Sequence, residues 1–466
     1  MHKFLRRHIL LPAFETLLKG RRTFAYWREL EKSQWLPRAQ LEAMQVAALQ
    51  RLLVHAGRHC PYYRDTWLAR GLDAGQLQTL TDFQSWPVID RDVVRDNRLR
   101  MRSQQPGVRL IAKATGGSSG VPLHFDLDPD SNDRRYGAWH RGYTWAKAAP
   151  GTKQLYLWGV GLGKISRLRR CKDYLYNRLY GRLVLNSFDL SEERIPDFLR
   201  SLNRYRPDVI VAYTNALYVF ARSLEERGLK PFSPKSLIVG AEKLHDFQRT
   251  VIERAFGAPV FETYGSREFM LIGAECDRHQ GLHLTMENLL VEILDDNGVP
   301  TPEGEEGNVV VTDLTNHGMP FVRYQNGDRA IAGWSACSCG RGLPIMRKVV
   351  GRQLDILQTV DGRRVPGEFF PHLLKDFPSI ARFQVVQEEP ERIQLCLVLT
   401  SKLSEAERGL LESEVRQVIG PATEFDLRVV DDIPLTPAGK LQVVVNRCTG
   451  VKRSAPTPRE LQPGHR

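Results

Sequence analysis

The chain has 466 residues, more than one hydrophobic core ordinarily serves, and its 42% hydrophobic and 26% charged content excludes a fibrous or disordered polymer. Sixty-six Lys and Arg against 54 Asp and Glu give a formal charge of +12, which speaks of partners (nucleic acid, anionic lipid, or phosphorylated molecules such as ATP and coenzyme A) without choosing among them. Seven scattered cysteines form an odd, irregular set unlike a secreted disulfide framework, and no apolar run reaches the roughly 18 residues that a membrane-spanning helix needs.

The start, Met1 to Pro12, has basic residues and a short apolar stretch, too short for a signal peptide and without a small-residue cleavage site, so a cytoplasmic protein is expected. Residues 1–105 read as a mostly helical lead-in. Leu41, Met44, Ala48, Leu52 and Val54-His55 recur near helical spacing until Pro61 stops them. From about Val108 short strands alternate with helices. Strands are predicted at 154–158, 208–212, 236–239, 308–313 and 320–324, with helices at 195–203 and 216–227. That alternation predicts an α/β fold with mainly parallel sheets and helices on their faces. Past Gly351-Arg352 the texture changes. Asp361-Gly362 between Leu357-Gln358-Thr359-Val360 and Arg363-Arg364-Val365 predicts a hairpin, followed by a helix at 369–374, strands at 383–387 and 393–400, a helix at 404–418, and strands on both sides of Lys440. The expected division is therefore a domain of residues 1–350, a hinge at 351–355, a small α+β domain at 356–450 and a loose tail at 451–466.

Within this frame, Thr115-Gly116-Gly117-Ser118-Ser119-Gly120 joins two predicted strands. Its glycines let backbone N–H groups approach an anion and its hydroxyls add donors, which suits a polyphosphate as well as it suits a plain hairpin loop. It is not a Walker A motif, since no Gly-Lys-Ser/Thr ends it. After a later strand, Tyr264-Gly265-Ser266-Arg267-Glu268 sets an aromatic ring, which can cover an adenine, close to a carboxylate, which can hold Mg²⁺. Asn326-Gly327-Asp328 puts a carboxylate after a turn, placed to accept ribose hydroxyls, and Pro437-Ala438-Gly439-Lys440 presents a lysine that can neutralise charge between a carboxylate and an α-phosphate. Each motif is weak alone. Their order and spacing are specific.

Together they resemble the adenylate-forming superfamily of acyl-CoA synthetases, adenylation domains and luciferases, and most of all its phenylacetate-CoA ligase-like branch with the CapK-like capsular-biosynthesis proteins. The resemblance runs through Leu30 to Leu36, Pro61-Tyr62-Tyr63-Arg64 and Trp86 to Arg91, and covers nearly the whole chain. It implies a large N-terminal adenylate-forming domain and a small mobile C-terminal one. It assigns Thr115 to Gly120 to the phosphate loop, and Gly240-Ala241-Glu242 and Tyr264-Gly265-Ser266 to the nucleotide site. Glu268 takes the magnesium position, Asp328 the ribose, Arg352 the ribose or phosphate, and Lys440 the adenylation step. Where the family's hinge reads Gly-Arg-x-Asp-Asp, this chain has Leu354 before Asp355, and bulky Phe269-Met270 follow Glu268 where relatives often carry glycines.

Cys337-Ser338-Cys339-Gly340-Arg341 resembles an element of the same branch, and Cys276 with His279 or His283 lies upstream. Three thiolates and one imidazole would close a structural zinc site, and reduced, unliganded cysteines are the alternative. The resemblance favours His283, because relatives tend to have Gly-x-His there. Residues 165–182 form a basic amphipathic helix with Leu168, Cys171, Leu175 and Leu179 as its stripe, expected to rest on the core, with contact to an anionic membrane through it and Lys3, Arg6, Arg7 and Lys19 to Arg22 as the alternative. Acyl-pocket positions are expected near Trp158, Tyr213 to Leu217 and Phe269 to Ile272, and His140 and His245 are expected to be ordinary satisfied histidines.

The resulting expectation is an ATP- and Mg²⁺-dependent ligase that makes an acyl-AMP from a carboxylic acid and passes the acyl group to coenzyme A. The alternatives are an amine or sugar acceptor, or a nucleotide-binding scaffold without chemistry. No nucleic-acid partner is expected.

Overall fold

The computed structural model describes residues 3–115, 123–159, 167–187, 190, 192–333, 336–352, 356–360, 364–366, 369–374, 377, 379–434 and 442–448. Two compact units divide it, the first spanning Met1–Gly351 and the second beginning at Arg352.

The first unit opens with helices α1 (Thr23–Ser33), α2 (Arg38–His59) and α3 (Pro61–Leu68). In α2 the buried positions are Leu41, Gln45, Leu49, Leu52, Leu53 and Ala56, so Met44 and Val54 of the predicted stripe face solvent. Pro61 does not merely stop α2. It opens α3, where its missing N–H costs nothing. Helix α4 (Arg91–Met101) follows, capped by Asp90, whose Oδ1 accepts from the Val93 N–H at 2.9 Å. Strands β1 (Ile111–Ala114) and β2 (His124–Leu127) pair antiparallel and flank the glycine-rich loop. Helix α5 (Pro129–Trp145) is capped by Asp128.

An eight-stranded sheet forms the spine of this unit. Its strands are β3 (Gln154–Trp158), β4 (Arg182–Asn186), β5 (Val209–Tyr213), β6 (Ser236–Gly240), β7 (Val260–Tyr264), β8 (Gly273–Glu275), β9 (Leu282–Leu284) and a later two-residue strand, Ile345–Met346. From the β4 edge, pairing runs β4-β3-β5-β6-β7 in parallel, then turns antiparallel through β8 and β9. β5 and β6 are buried along their whole length, as strands covered on both faces must be. On one face Ile210, Leu237 and Val239 pack under helices α7 (Ile195–Tyr205), α8 (Thr214–Glu226) and α9 (Asp246–Phe256). On the other, Val209, Val211, Ile238 and Phe261 pack with Tyr143 near the end of α5. A second sheet contains β10 (Leu289–Leu294), β11 (Glu306–Asp313) and β12 (Tyr324–Ile331), paired antiparallel, and ends in Lys348–Arg352.

Residues 320–323, predicted as strand, are not one. Arg323 adopts φ +48°, and its buried guanidinium meets Glu292 at 3.0 and 3.1 Å while donating to the Trp86 carbonyl at 2.5 Å. Meeting those partners turns the chain before β12 begins.

The second unit pairs Ile380–Glu389 with Arg392–Leu399 antiparallel and adds Glu424–Val429 and Val444–Asn446 as parallel neighbours. A helix, Glu405–Ile419, opens with a capping box between Ser404 and Glu407 and packs Leu411, Val415 and Ile419 into this unit's core. Ile356–Gln358 pairs antiparallel with Arg364–Pro366, the register that a hairpin requires, while the turn residues 361–363 lie outside the described residues.

Candidate active site and metal centre

The end of β7 supplies the motif that carries most of the site. The Tyr264 hydroxyl donates to Asp328 Oδ2 at 2.8 Å and accepts from Asn326 Nδ2 at 2.8 Å, and that amide also reaches Asp328 Oδ2 at 3.1 Å. Asp328 does not follow a simple turn, as expected from sequence. Asn308 pairs with Arg329 and Val310 with Gln325, so Asn326, Gly327 and Asp328 bulge out of β12 opposite the single residue Val309. Gly327 takes φ +86° in that bulge, where a glycine is unstrained. Asn326 thus fixes the carboxylate, a role its turn-like sequence did not disclose.

Gly265 is there because of space. A Cβ on it would stand 1.9 Å from the Met270 carbonyl oxygen. The chain folds back tightly, with the Met270 N–H on the Ser266 carbonyl at 2.7 Å and the Phe269 N–H on Ser266 Oγ at 3.3 Å. That tight return buries Glu268, which the Tyr324 hydroxyl approaches at 3.5 Å. Gly265→Ala is therefore expected to destabilise the first unit by about 2 kcal/mol or more and to lower Tm by about 5 °C. A thermal melt checks this, and an unchanged Tm would refute the close-approach account.

At the base of the glycine-rich loop, Thr115 is clamped to Leu123. Its N–H donates to the Leu123 carbonyl at 2.9 Å, and its Oγ1 accepts from the Leu123 N–H at 2.9 Å. Cations gather there that no motif disclosed. Arg91 Nη2 donates to Thr115 Oγ1 at 3.3 Å, and Arg267 Nε to the Ala114 carbonyl at 3.4 Å. Partial burial, aided by Arg267, Arg135 and Arg21, holds the Lys113 ammonium below its usual value. Fixed positive charge beside a clamped loop base suits a polyphosphate. Gly116, Gly117, Ser118, Ser119 and Gly120 lie outside the described residues, as do Lys440, the hinge residues 353–355 and the side chain of Arg352.

Gly240-Ala241-Glu242 ends β6. A Cβ on Gly240 would meet Thr263 Oγ1 at 2.5 Å, and Ala241 has φ +67°. Glu242 ties this corner to α8, its Oε2 accepting from the Asn215 N–H at 2.8 Å and its carbonyl from Thr214 Oγ1 at 3.0 Å. Next to it, burial pushes the Lys243 ammonium down to about 8, and its Nζ donates to the Val350 carbonyl at 3.0 Å.

Of the expected acyl-pocket positions, Trp158 and Tyr213 are in tilted ring contact with centroids 4.1 Å apart. Phe269 packs between Phe321 and Tyr324, and Leu271 and Ile272 are buried in core clusters. His140 is a core histidine among Phe24, Trp27 and Trp139, pushed down to about 3 by burial and so neutral. His245 is buried at the start of α9 and stacks on Phe247.

Cys276, His283, Cys337 and Cys339 come together, their ligand atoms all within 4.8 Å of one another. Cys276 Sγ and Cys337 Sγ are 3.7 Å apart, and Cys339 Sγ lies 3.3 Å from His283 Nε2. A disulfide would need about 2.05 Å. Thiolates about 2.3 Å from a tetrahedral zinc stand roughly 3.8 Å apart, so the spacing fits a metal instead. His279 is not part of the group. Its Nδ1 pairs with Glu275 Oε2 at 3.2 Å and its ring sits on Phe261. Burial pushes His283 down to about 4, leaving the neutral imidazole that a metal requires.

The fold has counterparts among known proteins. The chain superposes on a 2-hydroxyisobutyryl-CoA ligase solved with its acyl-AMP in the postadenylation state, with TM-score 0.71, 18% identity and coverage of 89% and 91% of the two chains. It is 28% identical over 343 residues to a phenylacetate-coenzyme A ligase of Thermus thermophilus, covering 71% of this chain and 74% of that one. The architecture is that of the adenylate-forming ligases. Within that class, residues 357–447 match the CapK C-terminal domain, and the chain is 23% identical to Protein CapK of Staphylococcus aureus across 92% of its own length and 94% of that protein's. The chain is thus similar to Protein CapK along nearly its whole length and to the phenylacetate-coenzyme A ligases along about two thirds of it.

Proposed function

We propose that this protein is an AMP-forming carboxylate ligase that activates a carboxylic acid with ATP and passes the acyl group to coenzyme A. The observation that carries the reading is the convergence of Tyr264, Asn326 and Asp328 from two sheets in one hydrogen-bonded group, with Glu268 buried four residues after Tyr264. The similarity to phenylacetate-coenzyme A ligases along 71% of the chain supports the same chemistry.

In this reading the loop from Thr115 to Gly120, with Arg91 and Arg267 at its base, binds the triphosphate, and the Asp328 carboxylate accepts the ribose hydroxyls. Glu268 would hold Mg²⁺, which would spread the charge of the phosphates when bound. A carboxylate oxygen of the substrate attacks the α-phosphorus, and the bond to the β-phosphate oxygen breaks with pyrophosphate leaving. Lys440 neutralises the charge shared by the attacking oxygen and the α-phosphate, and Arg352 holds ribose or phosphate. The thiolate of coenzyme A then attacks the acyl carbonyl carbon, and AMP leaves with the electrons of the C–O bond. The second unit swivels about residues 351–355 between these steps, with Asp355 serving where Leu354 replaces the usual first aspartate. Cys276, His283, Cys337 and Cys339 would hold a structural zinc that ties the loop around residue 338 to β8 and β9. ATP and coenzyme A are cytoplasmic, and the reaction is placed there.

A second reading keeps the adenylation and changes the acceptor to an amine or sugar. The CapK match favours it, since it spans 92% of the chain, including the C-terminal unit. Both readings predict pyrophosphate release with a panel of aryl, acyl and amino acids. AMP release that depends on coenzyme A supports the first. Release with an amine or sugar but without coenzyme A selects the second. No pyrophosphate with any acid would end both.

A further inference from the structure

The helix of residues 165–182 was expected to rest its stripe on the core, and of that stripe only Leu179 does. Helix α6 (Arg167–Tyr180) leaves Leu168 86% exposed, and Cys171 and Leu175 are exposed as well. Tyr176 and Tyr180 join Leu179 in the inward contact, against Leu11, Phe14 and Trp27.

Phe14 belongs to an N-terminal helix that runs from Lys3 to Leu18 and contains two π turns, Arg6–Leu10 and Phe14–Leu18. In such turns residues four to five apart share a face. One face buries Leu11 and Glu15, the latter bonded to the Tyr180 hydroxyl. Phe4, Ile9, Leu17 and Leu18 are left in solvent, the last two 80% and 76% exposed. Two packed helices thus hold large apolar side chains out in water.

The charge around them is one-sided. Residues 3–22 carry Lys3, Arg6, Arg7, Lys19, Arg21 and Arg22, of which Arg6 is buried and Lys3, Arg21 and Arg22 pair with Asp208, Glu15 and Asp130, and residues 167–182 carry six basic residues against Asp173. Lys19, Lys172 and Arg178 are exposed beside the leucines. A second copy docked on this face would set one basic cluster against the other, because a two-fold contact meets itself. An anionic partner is required, and protruding apolar side chains ringed by Lys and Arg suit the headgroup boundary of a lipid leaflet. Among the described residues no helix is long and apolar enough to cross a membrane, so the contact would be peripheral.

We propose that the N-terminal helix and α6 together form a docking face for an anionic membrane surface, with Leu17, Leu18, Leu168 and Leu175 entering the interface. The test is flotation of the full chain with phosphatidylcholine vesicles, with and without phosphatidylglycerol, at low and high salt. Co-flotation is expected to be at least ~10-fold higher with the anionic vesicles and to fall as salt rises. Leu17→Ser/Leu18→Ser and Leu168→Ser/Leu175→Ser should each abolish most of it while leaving Tm unchanged. Lys172→Glu/Arg178→Glu should weaken it with every leucine intact. Equal flotation of wild type and all three variants, or of neutral and anionic vesicles, would overturn the proposal. So would a dimer in sedimentation that the leucine variants dissolve, since the face would then join two copies. None of these readouts depends on the ligase reaction.

Discussion

Lys440→Ala is expected to cut ATP–pyrophosphate exchange by about 10²–10³, the usual cost of deleting one charge placed where charge develops in a transition state. The reasoning is chemical. When the substrate oxygen closes on the α-phosphorus, two anionic groups share one centre, and the cations at the loop base are engaged with the loop itself, Arg91 on Thr115 Oγ1 and Arg267 on the Ala114 carbonyl. Lys440→Arg should recover part of the exchange, since it keeps the charge and alters its reach. Thioester formation from supplied acyl-AMP should survive in Lys440→Ala, because no phosphate bond to pyrophosphate breaks in that step. Undiminished exchange would remove the lysine from the mechanism, and equal loss of both half-reactions would mean that it acts by holding the fold.

The second large effect concerns the metal. Elemental analysis should find about one zinc per chain, and Cys276→Ser should lose it. Cys276 is fully buried, and its thiol, pushed up by burial to about 12, faces Cys337 at 3.7 Å. With a cation those thiols ionise and close a loop onto β8 and β9. Without it, two buried thiols, one half-buried thiol and an imidazole keep only weak sulfur contacts, such as Cys337 Sγ to Gln280 Oε1 at 3.3 Å. The expected loss is about 4 kcal/mol or more, read as a Tm fall of about 10 °C. His279→Ala should keep the metal, since its imidazole belongs to Glu275. A metal-free protein whose Tm ignores Cys276→Ser would show the four residues to be ordinary core.

Much of this was legible in sequence because it is local. The all-apolar runs of β5 and β6 need burial on both faces, and Ser404 with Glu407 sets a helix start within four residues. The choice of His283 over His279 came from a resemblance, and the structure gives its reason: pairing of β9 with residues 345–346 holds His283 beside the Cys337–Cys339 loop. The misses have one cause. Residues 320–323 look like a strand, but Arg323 reaches back to Glu292 and Trp86, partners far away in sequence. The 165–182 stripe has helical spacing whether or not anything covers it, and periodicity records a face without naming its neighbour.

The sequence by itself determined which chemical groups are present, the order of the motifs and the local elements that carry them, since propensity, capping and periodicity act within a few residues. Only the tertiary structure decided that Asn326 locks Tyr264 to Asp328, that Arg91 reaches Thr115, and that Leu168 and Leu175 face water. Those outcomes depend on which strands become neighbours and which apolar faces win the competition for burial, and that competition is settled by the whole chain at once.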